Sequence, residues 1–140
     1  MPVIEITRVQ ESYGFEAKDE NGNIVRMDTS EATGGKNFGA RPMQLLLMGL
    51  GGCSGIDIIS ILEKQKQSIE SFKAIIEADR EEGKIPSLWK NAKISFVLHG
   101  KIDKEKAERA CTLAMEKYCS VAETLRLSGT EISWELQLNP

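Results

Sequence analysis

Between Met43 and about Lys66 the chain carries a segment that is apolar on too many sides to lie on the surface of a small domain. Pro42 suits its first turn, because the missing N–H would be unpaired there anyway. Leu45, Leu46, Leu47, Met48, Leu50, Ile56, Ile58, Ile59, Ile61 and Leu62 run nearly all the way round a helical projection. A helix with no polar face is buried on most sides. A chain of 140 residues builds one ordinary core. Such a core rarely surrounds a helix of about six turns, so the pattern predicts that a second copy of the chain completes the cover. A membrane span is the rival reading, but Asp57 sits inside the segment and no basic flank orients it. No membrane partner is expected.

The rest reads as short strands and amphipathic helices in a single domain, residues 1–140. Residues 3–9 are β-rich, with Ile4 and Ile6 on one face, and Tyr13, Phe15 and Ala17 alternate with polar residues. Asn21-Gly22 marks a tight hairpin, returning through 24–28. A glycine-rich loop follows at 33–39. After the long helix, Phe72, Ala74, Ile76 and Ala78 alternate with polar or charged residues, and so do Ile94, Phe96 and Leu98. Gly83 and Pro86 mark their connection. Asp103 is a good N-cap for a helix reaching about Lys117, in which Glu105 and Arg109 form a favourable pair. A short helix near 121–127 precedes a strand carrying Ile132, Trp134, Leu136 and Leu138. The order β-β-β-α-β-β-α-α-β is an α+β pattern.

With 41% hydrophobic and 28% charged residues the chain is globular and soluble. Its net charge of −3 argues against a nucleic-acid partner. Met1-Pro2-Val3-Ile4-Glu5 does not begin a signal peptide, so a cytoplasmic location is expected. Three cysteines, no CxxC and one histidine argue against a zinc site and against a secreted disulfide scaffold. No metal is expected; reduced thiols fit better.

Cys53 lies within Gly49-Leu50-Gly51-Gly52-Cys53-Ser54-Gly55, in the middle of the long helix. Each helical glycine costs about 1 kcal/mol relative to alanine, so something must offset them. Either a neighbouring element needs bare backbone, or bare backbone lets a substrate reach Cys53. Ser120-Val121-Ala122-Glu123 matches a capping box. With Ser120 as N-cap, Cys119 would sit just before a helix N-terminus, where partial positive charge favours a thiolate. Glu123 opposes this, with Arg126 to offset it. Cys111 falls on an apolar helix face and reads as core. His99 points outward from its strand, and Trp89 and Trp134 read as packing. Asp57 follows Cys53 by one turn on the same face. As an anion there it would raise the thiol's pKa, so it is no activator.

Gly39-Ala40-Arg41-Pro42-Met43-Gln44-Leu45-Leu46-Leu47, followed by Gly51-Gly52-Cys53, resembles the OsmC/Ohr family pattern G-x-x-P-x-E-L-L-L…GGC. Asp57-Ile58-Ile59-Ser60-Ile61-Leu62 and Glu108-Arg109-Ala110…Glu116-Lys117-Tyr118-Cys119-Ser120-Val121 also resemble it, with the family's spacing between the two cysteines. The resemblance spans essentially the whole chain.

It implies an intertwined homodimer, with long central helices sandwiched between antiparallel sheets. It implies a thiol peroxidase that uses Cys53 and Cys119 as catalytic residues. Cys53 would reduce an organic hydroperoxide, Cys119 would resolve the sulfenic acid, and an external dithiol would reduce the pair, with no metal or organic cofactor. The chain departs from the family at Met43, where well-studied members carry glutamate; Gln44 is the neighbouring polar residue. The N-terminal strand offers Lys18 where the family uses an arginine, which leaves Arg26 and Arg41 as candidates to hold Cys53 as thiolate. Without a cation the thiol would stay near about 8.5. The alternative function is a non-catalytic redox-sensing or apolar-ligand-binding protein of the same family.

Overall fold

Asn21-Gly22 turns the second hairpin because Gly22 adopts φ +83°, which costs glycine nothing. The Asp19 carboxylate secures the turn by accepting the amide protons of Asn21 and Asn23, both at 2.9 Å. The computed structural model describes all 140 residues and divides into two units, Met1–Leu47 and Met48–Pro140.

The first unit is a three-stranded antiparallel sheet in sequence order, β1 (Glu5–Arg8), β2 (Phe15–Lys18) and β3 (Ile24–Met27). The expected strands are present but shorter. Asp28, 2% exposed, organises the glycine-rich loop beyond them. Its carboxylate accepts the amide protons of Lys36 (2.8 Å), Phe38 (3.1 Å) and Thr29 (2.7 Å). These bonds, the one from Lys36 first, hold its pKa below the usual aspartate value.

Helix α1 (Pro42–Lys64) begins in the first unit and lies mostly in the second. The second unit continues with β4 (Ser68–Arg80), β5 (Trp89–Lys101), α2 (Lys104–Leu113), α3 (Ser120–Leu127) and β6 (Glu131–Leu138). Its sheet has the order β4-β5-β6. β4 pairs with β5 antiparallel, whereas β6 runs parallel to β5. A parallel neighbour needs a long crossover, and α2 and α3 supply it. The alternating residues predicted for these strands meet on one face: Phe72 opposite Leu98, Ala74 opposite Phe96, and Ile94 opposite Trp134. The Phe96 ring lies 6.0 Å from Phe72 and 6.3 Å from Trp134, so this tryptophan is packing. Trp89 lies beneath the Arg80 guanidinium.

Two expectations are corrected. The helix read as reaching Lys117 ends at Leu113 and continues as a wide π-helical turn over Ala114–Tyr118. Asp103 does cap α2, accepting the Lys106 amide proton at 3.1 Å. The ion pair on α2 is Lys104–Glu108 at 4.0 Å, not Glu105 with Arg109. As expected of a helix that one small core does not surround, a single chain buries only one stripe of α1: Leu50, Ser54, Ile58 and Leu62, spaced by one turn, with Gly55 beside them. Leu46, Met48 and Ile56 are 45%, 55% and 71% exposed. α1 is long and apolar enough to cross a membrane, but its buried stripe makes it the core helix of this unit.

Candidate functional site

The α1 glycines include two explained by packing. A Cβ on Gly55 would stand 3.0 Å from the Phe72 ring, and one on Gly51 would stand 3.1 Å from Ile76 Cδ1. Bare backbone here lets α1 approach β4. Gly52 differs: nothing lies within 4 Å of where its Cβ would be. Packing therefore accounts for Gly51 and Gly55 but not for Gly52. Ser54 turns inward and donates to the Leu50 carbonyl at 2.7 Å, which satisfies its buried hydroxyl. The same helical turn presents Cys53, half-buried, and one turn later Asp57.

Cys119 arrives from the crossover. The Cys119 N–H donates to the Ala114 carbonyl at 2.8 Å and closes the wide turn. The residue is extended (φ −73°, ψ 103°) and is itself the N-cap of α3. Its Sγ accepts the Ala122 amide proton at 3.4 Å. This corrects the capping box: Ser120 is the first helical residue, and the cap is a sulfur. Glu123 pairs with Arg126 at 3.8 Å, and Arg126 also donates to the Met115 carbonyl.

The two sulfurs and a carboxylate oxygen of Asp57 all lie within 4.8 Å of one another. Both cysteines are free thiols, as is Cys111. The pair is asymmetric, since Cys53 is half-exposed whereas Cys119 is 3% exposed. Burial pushes the Cys119 thiol up to about 11. The Ala122 amide pulls the other way, the hydrogen bond and charge of Cys53 push up again, and the Val121 amide lowers it slightly. The expected thiolate at the helix start is therefore corrected: desolvation outweighs the helix-end donors. In chemical terms, this is a reachable sulfur backed by a buried one, close enough to trap an oxidised form of the first.

Cys111 is fully buried, and burial together with Glu108 pushes its thiol up to about 12. It is core, as read. His99 Nδ1 shares a hydrogen bond with Ser71 Oγ at 3.2 Å.

The other candidates belong to the N-terminal unit. Arg41 donates its backbone N–H to Gln44 Oε1 at 3.3 Å. Both residues line a cavity of about 470 Å³ together with Thr29, Ser30 and Asn37. Arg26 pairs with Glu16 at 3.5 Å, and its guanidinium lies 5.1 Å from the Phe38 ring centroid.

Sequence reasoning dismissed Asp57 and missed Asp28. Asp57 Oδ2 is buried and accepts no hydrogen bond. Its spacing from Cys53 was legible as one helical turn; the orphaned oxygen was not.

The family model described as OsmC-like protein matches residues 33–135. Protein YhfA of Escherichia coli (strain K12) is 35% identical over 113 residues, 80% of this chain and 81% of its own. The crystal structure of a hypothetical protein from Aquifex aeolicus VF5 superposes with a TM-score of 0.81 at 31% identity, covering 100% of this chain and 98% of that one. The organic hydroperoxide resistance protein OhrB of Bacillus subtilis superposes with a TM-score of 0.63 at 18% identity, over 98% of both chains. At that identity the likeness to OhrB is one of fold.

Proposed function

The chain belongs to the OsmC-like family, and from that premise we propose that it is a dithiol-dependent peroxidase that reduces organic hydroperoxides in oxidative-stress defence. The observation that carries this reading is the pairing of a reachable and a buried sulfur within 4.8 Å. OhrB and other structural relatives that are organic hydroperoxide resistance proteins make hydroperoxide the substrate class to test.

In this reading the Cys53 thiolate attacks one oxygen of the hydroperoxide and the O–O bond breaks. The leaving alkoxide takes a proton and departs as alcohol, and Cys53 becomes a sulfenic acid. The Cys119 sulfur then attacks Cys53. Its proton and the sulfenic hydroxyl leave as water, and a disulfide forms. An external dithiol reduces it by exchange. Exposure decides the order: the half-exposed sulfur meets the peroxide, and the buried one resolves. The reaction requires no metal or organic cofactor.

Arg41 and Arg26, with Gln44, stay the candidates that the family resemblance offers for holding Cys53 as thiolate. Arg26 is already shared between Glu16 and Phe38. We also propose an intertwined homodimer in the cytoplasm, because the exposed apolar side of α1 needs cover.

The test is consumption of cumene hydroperoxide in the presence of dithiothreitol. Cys53→Ser abolishes consumption. Cys119→Ser allows about one equivalent and then stalls at the sulfenic acid. Peptide mapping after one turnover finds a Cys53–Cys119 bridge and a free Cys111. Activity that survives Cys53→Ser overturns the reading. A disulfide formed without turnover replaces it with redox sensing.

A further inference from the structure

We propose that reduced Cys53, Cys119 and Asp57 form a binding site for a thiophilic divalent cation of the zinc class. Two donors lie one turn apart on α1, and the third caps α3. All three donor atoms lie within 4.8 Å of one another. A tetrahedral zinc site, with bonds of about 2.3 Å to sulfur and about 2.0–2.2 Å to oxygen, holds neighbouring donors roughly 3.5–3.8 Å apart. The three donors therefore need to close by only about 1 Å.

A second observation points to a cation independently of the distances. Asp57 Oδ2 is buried without a hydrogen bond. A buried carboxylate oxygen is costly unless something positive or a donor faces it. The residues beside it are two thiols, which ionise to anions. The same three groups, deprotonated, are a fitting donor set for a soft dication, which displaces the thiol protons as it binds. Three protein donors leave a fourth position, and a cavity of about 340 Å³ reaches Asp57, lined also by Ser60, Lys64, Leu113 and Tyr118.

Local cysteine and histidine spacing does not reveal this site, because two donors are separated from the third by most of the second unit. The proposal requires reduced thiols and does not rest on peroxidase activity. It couples binding to redox state, because a Cys53–Cys119 disulfide removes two of the three donors.

The experiment titrates chelator-treated, reduced protein with Zn²⁺ alone and with Co²⁺ alone. The expected result is one ion per chain, with thiolate-to-cobalt charge-transfer absorption and tetrahedral visible bands. Cys53→Ser and Cys119→Ser each abolish those bands, and Cys111→Ser leaves them intact. Asp57→Asn, with its melting temperature checked against wild type, weakens binding by at least about tenfold. Diamide-oxidised protein binds no ion. The proposal is overturned by a reduced protein that binds no stoichiometric zinc, by cobalt spectra without thiolate character, or by binding indifferent to Asp57→Asn. A failed peroxidase assay leaves it standing, and a failed titration leaves the peroxidase reading standing.

Discussion

The sulfur of Cys119 accepts the Ala122 amide proton at 3.4 Å while lying within 4.8 Å of the Cys53 sulfur. One atom therefore closes the first turn of a helix and faces a second thiol. The helix lends it an N–H donor, and the core denies it water.

Burial raises the thiols of Cys119 and Cys111 to about 11 and about 12, above their ordinary value of 9.0. A raised folded-state pKa means that the fold holds the proton more tightly than the unfolded chain does. Stability from these groups is full below pH 9 and is lost as pH rises through 11 to 12. Thiolate ultraviolet absorbance should show these two cysteines titrating only above about pH 10. The urea midpoint should fall across the same range, and should fall less in Cys111→Ala. A midpoint flat from pH 8 to 11 would contradict the assignment.

Gly55→Val places a Cβ 3.0 Å from the Phe72 ring, which already packs on Phe96. Overpacking of this kind costs on the order of 1–3 kcal/mol, more than the helix gains from losing a glycine. Denaturant unfolding should show the loss, and adding Phe72→Leu should restore part of it. A neutral Gly55→Val would mean that α1 and β4 do not meet closely.

Asp28 holds the amides of Thr29, Lys36 and Phe38, and its pKa is lowered chiefly by the Lys36 bond. A depressed carboxylate pKa stabilises the fold above the ordinary value of 3.8 and loses that contribution as pH falls below it. Asp28→Ala should speed amide exchange at residues 36 and 38 at neutral pH. It should also flatten the acid limb of the stability profile. Unchanged exchange at both amides would remove Asp28 from this role.

Ile56 is 71% exposed on α1 in a single chain. Ile56→Glu should cost little in an isolated subunit, because the site is open. In a homodimer built on α1 it should shift light-scattering mass from two chains towards one. Wild-type protein that runs as a monomer would leave the exposed side of α1 without the cover proposed here.

Features governed by neighbours in the chain were legible before any coordinates. Alternation at Phe72, Ala74 and Ile76 placed β4, and Asn21-Gly22 placed the turn between β2 and β3. Asp103 marked the start of α2, because a side-chain cap depends on residues three positions away. The order of elements followed from those local signals. Even the one-turn spacing of Cys53 and Asp57 could be counted.

Tertiary structure decided everything that depends on burial and on remote partners. A capping box named Ser120, but the wide turn at Ala114–Tyr118 shifted the cap to Cys119. A helix start promised a thiolate, but desolvation of a 3%-exposed sulfur outweighed the nearby amides. The parallel pairing of β6 on β5 likewise depends on how the crossover returns. Cys119 meets Cys53 and Asp57 only because the chain between them folds back through two strands and a helix. Local periodicity records which side of an element is apolar. It carries no information on which distant atom will share a cavity, or on how much water will remain there.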